Sequence, residues 1–280
     1  MTSILVTGAT GFVGQCLSKC LIEKNYQVSA TIRNVADQEK LPSEVNSILV
    51  TSLNQELSLD IFKNQDVIIY LAARVHQMND RNPDIIEAYR EINTYAPISL
   101  ARQGIKNGVK RFIYLSSIKV NGEGTVSSPY KEDDTPNPVD PYGLSKWETE
   151  KGLLKLAEET GLEVVIIRPP LVYGAKVKAN FLQLIKIIQK NLPLPLGSIE
   201  NKRSLVYVGN LVSAIITCID HPNAKNQTFI VSDGEDLSTP ELIRRIAKAM
   251  DKTPFLLPIS PNLIKIGTKL PLPKIVPPPK

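Results

Sequence analysis

Four short apolar runs constrain this chain more than any other feature. Residues 4–7, 66–72, 111–116 and 163–167 carry few polar side chains, and none is long enough to make a helix of its own. Strands of this kind are buried on both faces, since a strand with one face in water alternates apolar and polar residues. Segments with helical spacing stand between them, at residues 12–24, 84–107 and 141–160, and residues 27–33 and 47–51 read as two further strands. Buried strands alternating with helices imply an α/β chain with a doubly wound parallel sheet, covered by helices on both faces.

The first run enters Gly8-Ala9-Thr10-Gly11-Phe12-Val13-Gly14, and a helix follows at once. Glycine permits a tight turn and a close approach of the backbone to a pyrophosphate, while the helix N-terminus offers free N–H groups and partial positive charge. A glycine triad alone is a weak signal. Strand, triad and helix in that order are the context a dinucleotide site requires. Gly8, Thr10, Gly11, Phe12 and Val13 are therefore expected to line a cofactor.

A second signal lies in Pro141-Tyr142-Gly143-Leu144-Ser145-Lys146. Four-residue spacing on a helix puts the phenol and the ammonium on one face. A secondary alcohol gives up hydride only as its hydroxyl proton leaves, so a base must stand beside that oxygen. Free tyrosine has a pKa of about 10 and is a poor base at neutral pH, but a nearby ammonium favours the phenolate. Tyr-x-x-x-Lys is common by chance on amphipathic helices. Its weight here comes from the glycine turn upstream and from Ser116-Ser117 at the end of an apolar strand.

Those three signals, in that order, resemble the extended short-chain dehydrogenase/reductase family, and within it the NAD-dependent epimerases and dehydratases. The resemblance covers about residues 3–250 and implies a Rossmann domain with a smaller C-terminal substrate lobe. Ser116-Ser117-Ile118-Lys119-Val120-Asn121-Gly122 resembles the family's S-[S/T]-x-x-V-Y-G, with Asn121 where Tyr is usual. On that register Ser117, Tyr142 and Lys146 are the implied catalytic set. Ser117 and Tyr142 would also touch the substrate, and Tyr142 and Lys146 the cofactor, Lys146 through the nicotinamide ribose. Leu71-Ala72-Ala73 resembles the segment that lies against the dinucleotide, with Tyr70 where His is frequent. Arg168-Pro169-Pro170-Leu171-Val172-Tyr173-Gly174 resembles RPxxVYG, whose backbone closes over the nicotinamide and brings in Pro169 and Val172. Asn93 matches an Asn that supports the active-site helix.

Two further residues point to the substrate. Asn180, and Arg203 in Arg203-Ser204-Leu205-Val206-Tyr207-Val208, resemble residues that grip the diphosphate of a nucleotide sugar. A helix N-cap for Asn180 and a surface ion pair for Arg203 are the plainer alternatives. The acid that binds ribose in NAD-selective members is missing, because the second strand ends Ala30-Thr31-Ile32-Arg33-Asn34. Arg33 suits a 2′-phosphate, so the cofactor is NAD or NADP, with NADP favoured.

The resemblance implies hydride transfer at sugar C4, and the leading expectation is a UDP-hexose 4-epimerase. The dehydratases carry Thr-Asp-Glu where Ser117-Ile118-Lys119 stands, and Ile118 cannot act as an acid. NADPH-dependent reduction of a UDP-4-keto-6-deoxy sugar is the alternative, and a catalytically silent NAD(P)-binding scaffold a third. An enzyme for an uncharged molecule would not need the Asn180/Arg203 clamp. The resemblance also implies a homodimer built from the helices at 84–107 and 141–160.

The expected division is a dinucleotide-binding domain at 1–170, a substrate-binding lobe interleaved with the end of the sheet at 171–253, and a Pro-rich tail at 254–280. The tail lacks the family's closing D-x-x-K-x-x-x-x-L-G pattern and its second diphosphate Arg. Formal net charge is +5 over 280 residues and is spread along the chain, which argues against nucleic-acid binding. No apolar stretch has transmembrane length. Cys16, Cys20 and Cys218 without CxxC or paired His argue against a metal site, and an odd cysteine count fits a cytoplasmic protein. His76 and His221 are expected to be a loop hydrogen-bonder and a helix end.

Overall fold

A computed structural model describes residues 1–75, 84–125, 128–177 and 179–260. The N-terminal half alternates as expected. β1 (Ser3–Thr7) leads to α1 (Phe12–Glu23), then β2 (Gln27–Ile32), β3 (Asn46–Leu49) and β4 (Val67–Tyr70). α2 (Ile85–Arg90) and α3 (Ala96–Lys106) precede β5 (Arg111–Leu115); α4 (Pro141–Thr160) precedes β6 (Glu163–Arg168). After β7 (Leu171–Tyr173) come α5 (Ala179–Gln189), β8 (Arg203–Tyr207), α6 (Val208–Asp220), β9 (Gln227–Ile230), β10 (Asp236–Leu237) and α7 (Thr239–Lys248).

Seven strands form one sheet in the order β3-β2-β1-β4-β5-β6-β9, all parallel. The order reverses direction between β1 and β4, which opens a crevice at their C-terminal ends. Period-two alternation sorts the buried strands between two cores. Ile4, Val6, Val67 and Ile69 join Leu17 and Leu21 of α1 and Leu211 and Ile215 of α6 on one face. Leu5, Ile68, Tyr70, Phe112 and Tyr114 join Leu100 of α3 and Leu153 and Leu156 of α4 on the other. Every residue of β1 and β4 is buried, the condition that the uninterrupted apolar runs implied.

Residues 84–107 read from sequence as one helix, but a π-helical turn at Glu91–Tyr95 interrupts it between α2 and α3. Pro97, at the start of α3, has no N–H to give the Asn93 carbonyl four residues back, and side chains of other elements bond the carbonyls of the turn. The Ile92 carbonyl accepts from the Tyr70 hydroxyl at 2.9 Å, and the Asn93 carbonyl from those of Tyr114 (3.1 Å) and Thr149.

The chain divides into two compact units: residues 1–176 with 206–233, and residues 177–205 with 234–280. α6 and β9, in the range read from sequence as the lobe, return to the first unit. The second unit has its own small core, in which Ile188 and Leu194 pack with Ile243 and Ala247 of α7. Ser238 caps α7 by accepting from the Glu241 N–H. Leu194 pairs with Leu256, and the Gly197 N–H donates to the Leu257 carbonyl at 2.9 Å, so residues 254–258 run as a paired segment there. The rest of the Pro-rich tail, residues 261–280, lies outside the described residues.

Candidate active site

The glycine turn closes the C-terminal end of β1. Gly8 has φ +68°, a region that favours glycine, and a Cβ there would stand 2.6 Å from the Ala72 nitrogen. A Cβ on Gly14 would stand 2.3 Å from the Gly8 carbonyl oxygen. These contacts pin the turn against the end of β4, where the Leu71 and Ala72 N–H groups donate to the Thr7 carbonyl and hydroxyl at 3.2 and 3.4 Å. Gly11 caps α1 without a side chain, and the first turn holds no acid. Free N–H groups and a positive helix end are thus offered to an anion, and the cradle is too tight for side chains, so these residues fit the diphosphate of a dinucleotide. Thr10, Phe12 and Val13 are half-buried around the turn, as are Leu71, Ala72 and Ala73 at the end of β4. Arg33 is exposed just past β2.

β5 carries the next group. Its end turns through Ser116 and Ser117 into a single 3-10 turn (Ile118–Val120), and Ser117 caps that turn by accepting from the Lys119 N–H at 3.2 Å. α4 begins opposite. Asp140 caps it, accepting from the Gly143 N–H at 2.6 Å, and Pro141 opens its first turn. Gly143 stands where a Cβ would meet the Lys119 carbonyl oxygen at 2.7 Å, so glycine lets α4 approach the Ser117 turn. The Ser117 side chain stands near enough to the Tyr142 hydroxyl to favour its ionised form. Lys146, 1% exposed, donates to the Leu115 carbonyl at 2.9 Å and lies 4.6 Å from the Tyr114 ring centroid and 5.8 Å from that of Tyr142. Ser117, Tyr142 and Lys146 therefore meet at the C-terminal edge of the sheet, on the ends of β5 and α4.

The electrostatics differ from the simple expectation of a phenol acidified by its lysine. Burial is the dominant influence on both groups. It pushes Tyr142 up to about 12, against the influence of Ser117, and brings Lys146 down to about 7, against the attraction of Glu150. The free protein thus holds Tyr142 as a phenol.

Asn93 braces the site from the π turn. Its side chain accepts from the Arg74 N–H (2.9 Å) and donates to the Arg74 carbonyl and the Ser145 hydroxyl, each at 3.0 Å. Pro169 is buried, its carbonyl accepting from the Ile118 N–H at 3.0 Å, and Val172 is half-buried in β7. Asn180 and Arg203 belong to the second unit. Asn180 is exposed in the first turn of α5. Arg203 is exposed in β8, pairs with Leu237 of β10, and forms no ion pair among the described residues. His221 caps a short 3-10 turn through Nδ1, and His76 lies outside the described residues. Sequence reasoning missed Glu150 and Arg168, a buried ion pair (2.6 Å) beside the Tyr142/Lys146 face. The signal was present: Glu150 is four residues past Lys146, and Arg168 ends an apolar strand.

Fold and site together define a dinucleotide-binding enzyme of the extended short-chain dehydrogenase/reductase class. Within that class the chain belongs to the NAD dependent epimerase/dehydratase family, whose sequence profile matches residues 4–232. It is 50% identical over 272 residues to a UDP-glucose 4-epimerase of Vibrio cholerae, a match spanning 96% of this chain and 82% of the relative. The fold is similar to that of a Thermotoga maritima UDP-glucose 4-epimerase solved with UDP-glucose (24% identity, 93% of this chain and 87% of the other, TM-score 0.76). It is also similar to a Bacillus cereus UDP-glucuronic acid 4-epimerase solved with NAD (23% identity, 91% and 85%, TM-score 0.79). No helix among the described residues is long and apolar enough to cross a membrane.

Proposed function

We propose that this protein is a UDP-hexose 4-epimerase that retains its nicotinamide cofactor. The observation that carries the reading is the meeting of Ser117, Tyr142 and Lys146 beside the glycine turn; the relative at 50% identity supports the choice of reaction. With the dinucleotide's diphosphate on that turn, its nicotinamide would supply the hydride acceptor for sugar C4 and the hydride donor to the opposite face. The chain's own residues do the rest. Tyr142 Oη moves the proton of the sugar's 4-hydroxyl, and Ser117 Oγ, which donates and accepts, holds that oxygen in both its alcohol and ketone forms. The Lys146 ammonium supplies the positive charge that makes loss of the Tyr142 proton less costly. Leu71, Ala72, Ala73, Pro169 and Val172 enclose the cofactor, and the second unit is the substrate lobe, where Asn180 and Arg203 grip the diphosphate.

NAD is the resident cofactor in this reading, and Arg33 extends the site to NADP. The same Arg33 supports the second reading, an NADPH-dependent reductase of a UDP-4-keto-6-deoxy sugar. We place the activity in the cytoplasm, in keeping with three free cysteines, and propose a homodimer through α2, α3 and α4 and the π turn between the first two, where Ile92 and Tyr95 are 36% and 43% exposed.

The test is purified protein incubated with UDP-glucose without added cofactor, and separately with NADPH and a UDP-4-keto-6-deoxy sugar. Inversion at C4 by NMR with no net change in reduced nicotinamide is expected, with Tyr142→Phe lowering kcat by roughly 10²–10⁴-fold. NADPH consumption only with the keto sugar would replace the epimerase reading by the reductase. In the same preparation Arg33→Asp weakens NADP binding and spares NAD.

A further inference from the structure

Beside the Tyr142/Lys146 face lies a buried charge network to which the reaction above assigns no task. Glu150 follows Lys146 by one turn of α4 and is 1% exposed. Arg168 of β6 donates to its carboxylate from Nη2 (2.6 Å) and Nε (3.0 Å), and the Ser116 hydroxyl at the end of β5 donates as well. Arg168, itself 4% exposed, also donates to Asn121 Oδ1 at 3.1 Å, and Asn121 Nδ2 donates to the Lys131 carbonyl at 3.0 Å. One carboxylate thereby joins three elements: the helix that bears Tyr142 and Lys146, the strand end next to Ser117, and the strand that runs into Pro169. A buried ion pair is a poor source of stability, since desolvating two ions offsets most of their attraction, and an apolar pair of similar volume often does as well.

The groups facing Lys146 are few. On α4 there is the Tyr142 ring, with Glu150 one turn further along and not in direct ion-pair contact; on β5, the Tyr114 ring and the Leu115 carbonyl. Burial keeps both phenols neutral. Arg168 of β6 is engaged with Glu150. Glu150 is thus the anion that favours the charged lysine.

We propose that Glu150 is a positioning residue: Arg168 and Ser116 hold its carboxylate one turn of α4 beyond Lys146, where it fixes the Ser117 strand end against α4 and stands as the buried counter-charge to that lysine. The inference rests on the reading of Tyr142 and Lys146 given above, but its main test does not. Burial opposes the ammonium, so losing the Glu150 charge lowers the Lys146 pKa further, and less ammonium remains at neutral pH.

The experiment follows Lys146 by NMR in protein carrying 13C-labelled lysine, assigned with Lys146→Met, as pH is raised. In Glu150→Gln the Lys146 midpoint is expected to fall by about one pH unit or more, and in Glu150→Asp, which keeps the charge, to return most of the way. Should the single variant not fold, Glu150→Gln with Arg168→Gln leaves no lone buried charge, and a smaller downward shift is expected, since the Arg168 charge that opposed the ammonium goes too. On the enzyme, kcat falls at neutral pH with KM nearly unchanged, and the limb of the pH profile that reports Lys146 moves with the NMR midpoint. An unmoved midpoint in Glu150→Gln or the double variant, with only a lower melting temperature, overturns the proposal and leaves a structural ion pair. Absence of epimerase activity in the unsubstituted protein would strike the functional reading, while the NMR shift would still decide the role of Glu150.

Discussion

Lys146 shows how a single residue couples function to stability. Its folded pKa of about 7 lies below the 10.5 of a free lysine. Between those values the unfolded chain binds the extra proton, so this group makes stability rise with pH from about 7 toward 10.5. Below that window the buried ammonium is a liability on the order of 3–5 kcal/mol. We therefore expect Lys146→Met to melt higher than the unsubstituted protein at pH 6, the gap closing as pH approaches 9, while epimerisation is lost at both. Thermal melts at the two pH values check this, and a variant that is less stable at pH 6 would mean that the lysine's bond to the Leu115 carbonyl outweighs the burial of its charge. That Tyr142, Lys146 and Ser117 come together was legible in the sequence, because helical spacing and strand ends are local facts. Glu150 and Arg168 occupy telling positions in the sequence, but their pairing depends on β5, β6 and α4 arriving together in space.

At the scale of elements, α4 and the π turn act as one joint. The Thr94 hydroxyl donates to the Ser145 carbonyl at 2.9 Å, Asn93 Nδ2 reaches the Ser145 hydroxyl, and Thr149 and Tyr114 both reach the Asn93 carbonyl. These bonds set the angle at which α4 presents Tyr142. Tyr114→Phe and Thr149→Val each remove one donor and leave the other, so each should cost about 0.5–1.5 kcal/mol. Together they orphan a buried carbonyl, and the double variant should exceed the sum of the singles by about 1 kcal/mol or more. Denaturant unfolding of the four proteins measures that excess, and strict additivity would show that water replaces the lost donors. The joint also marks what sequence could not supply. Residues 84–107 keep helical spacing through Asn93, and Pro97 was there to read as a break, but the hydroxyls of β4, β5 and α4 that bond the freed carbonyls were not. The glycine turn, by contrast, was fully legible, since Gly8 and Gly14 are required by contacts with Leu71, Ala72 and Ala9 close to where the strand pattern puts them.

Across the whole molecule, the doubly wound parallel sheet followed from uninterrupted apolar strands, and the way the C-terminal half interleaves with that sheet rests on particular apolar residues. α6 and β9 belong to the first unit because Leu211, Val212, Ile215 and Ile219 complete the core that Leu17 and Leu21 of α1 begin. Arg111 anchors the other end of α6, donating to the carbonyls of Cys218 and Ile219 at 2.8 and 2.7 Å. The proposed function assigns one ligand to each unit, the dinucleotide to the first and the nucleotide diphosphate to the second, and this separates the two in a melting experiment. A ligand that binds only the folded chain stabilises it by about 2.7 kcal/mol at 100 times its Kd, a rise of several degrees for a chain of this size. Protein stripped of cofactor should therefore melt higher with NAD and higher again with NAD plus UDP. Arg203→Ala should keep the NAD increment and lose most of the UDP increment, because Arg203 is exposed and holds no ion pair among the described residues whose loss would lower the baseline. If Arg203→Ala keeps the full UDP increment, the diphosphate is gripped elsewhere and the role of the second unit must be reassigned. If Gly8→Ala, whose new Cβ would strike Ala72, still gains the full NAD increment, the dinucleotide does not lie on the glycine turn.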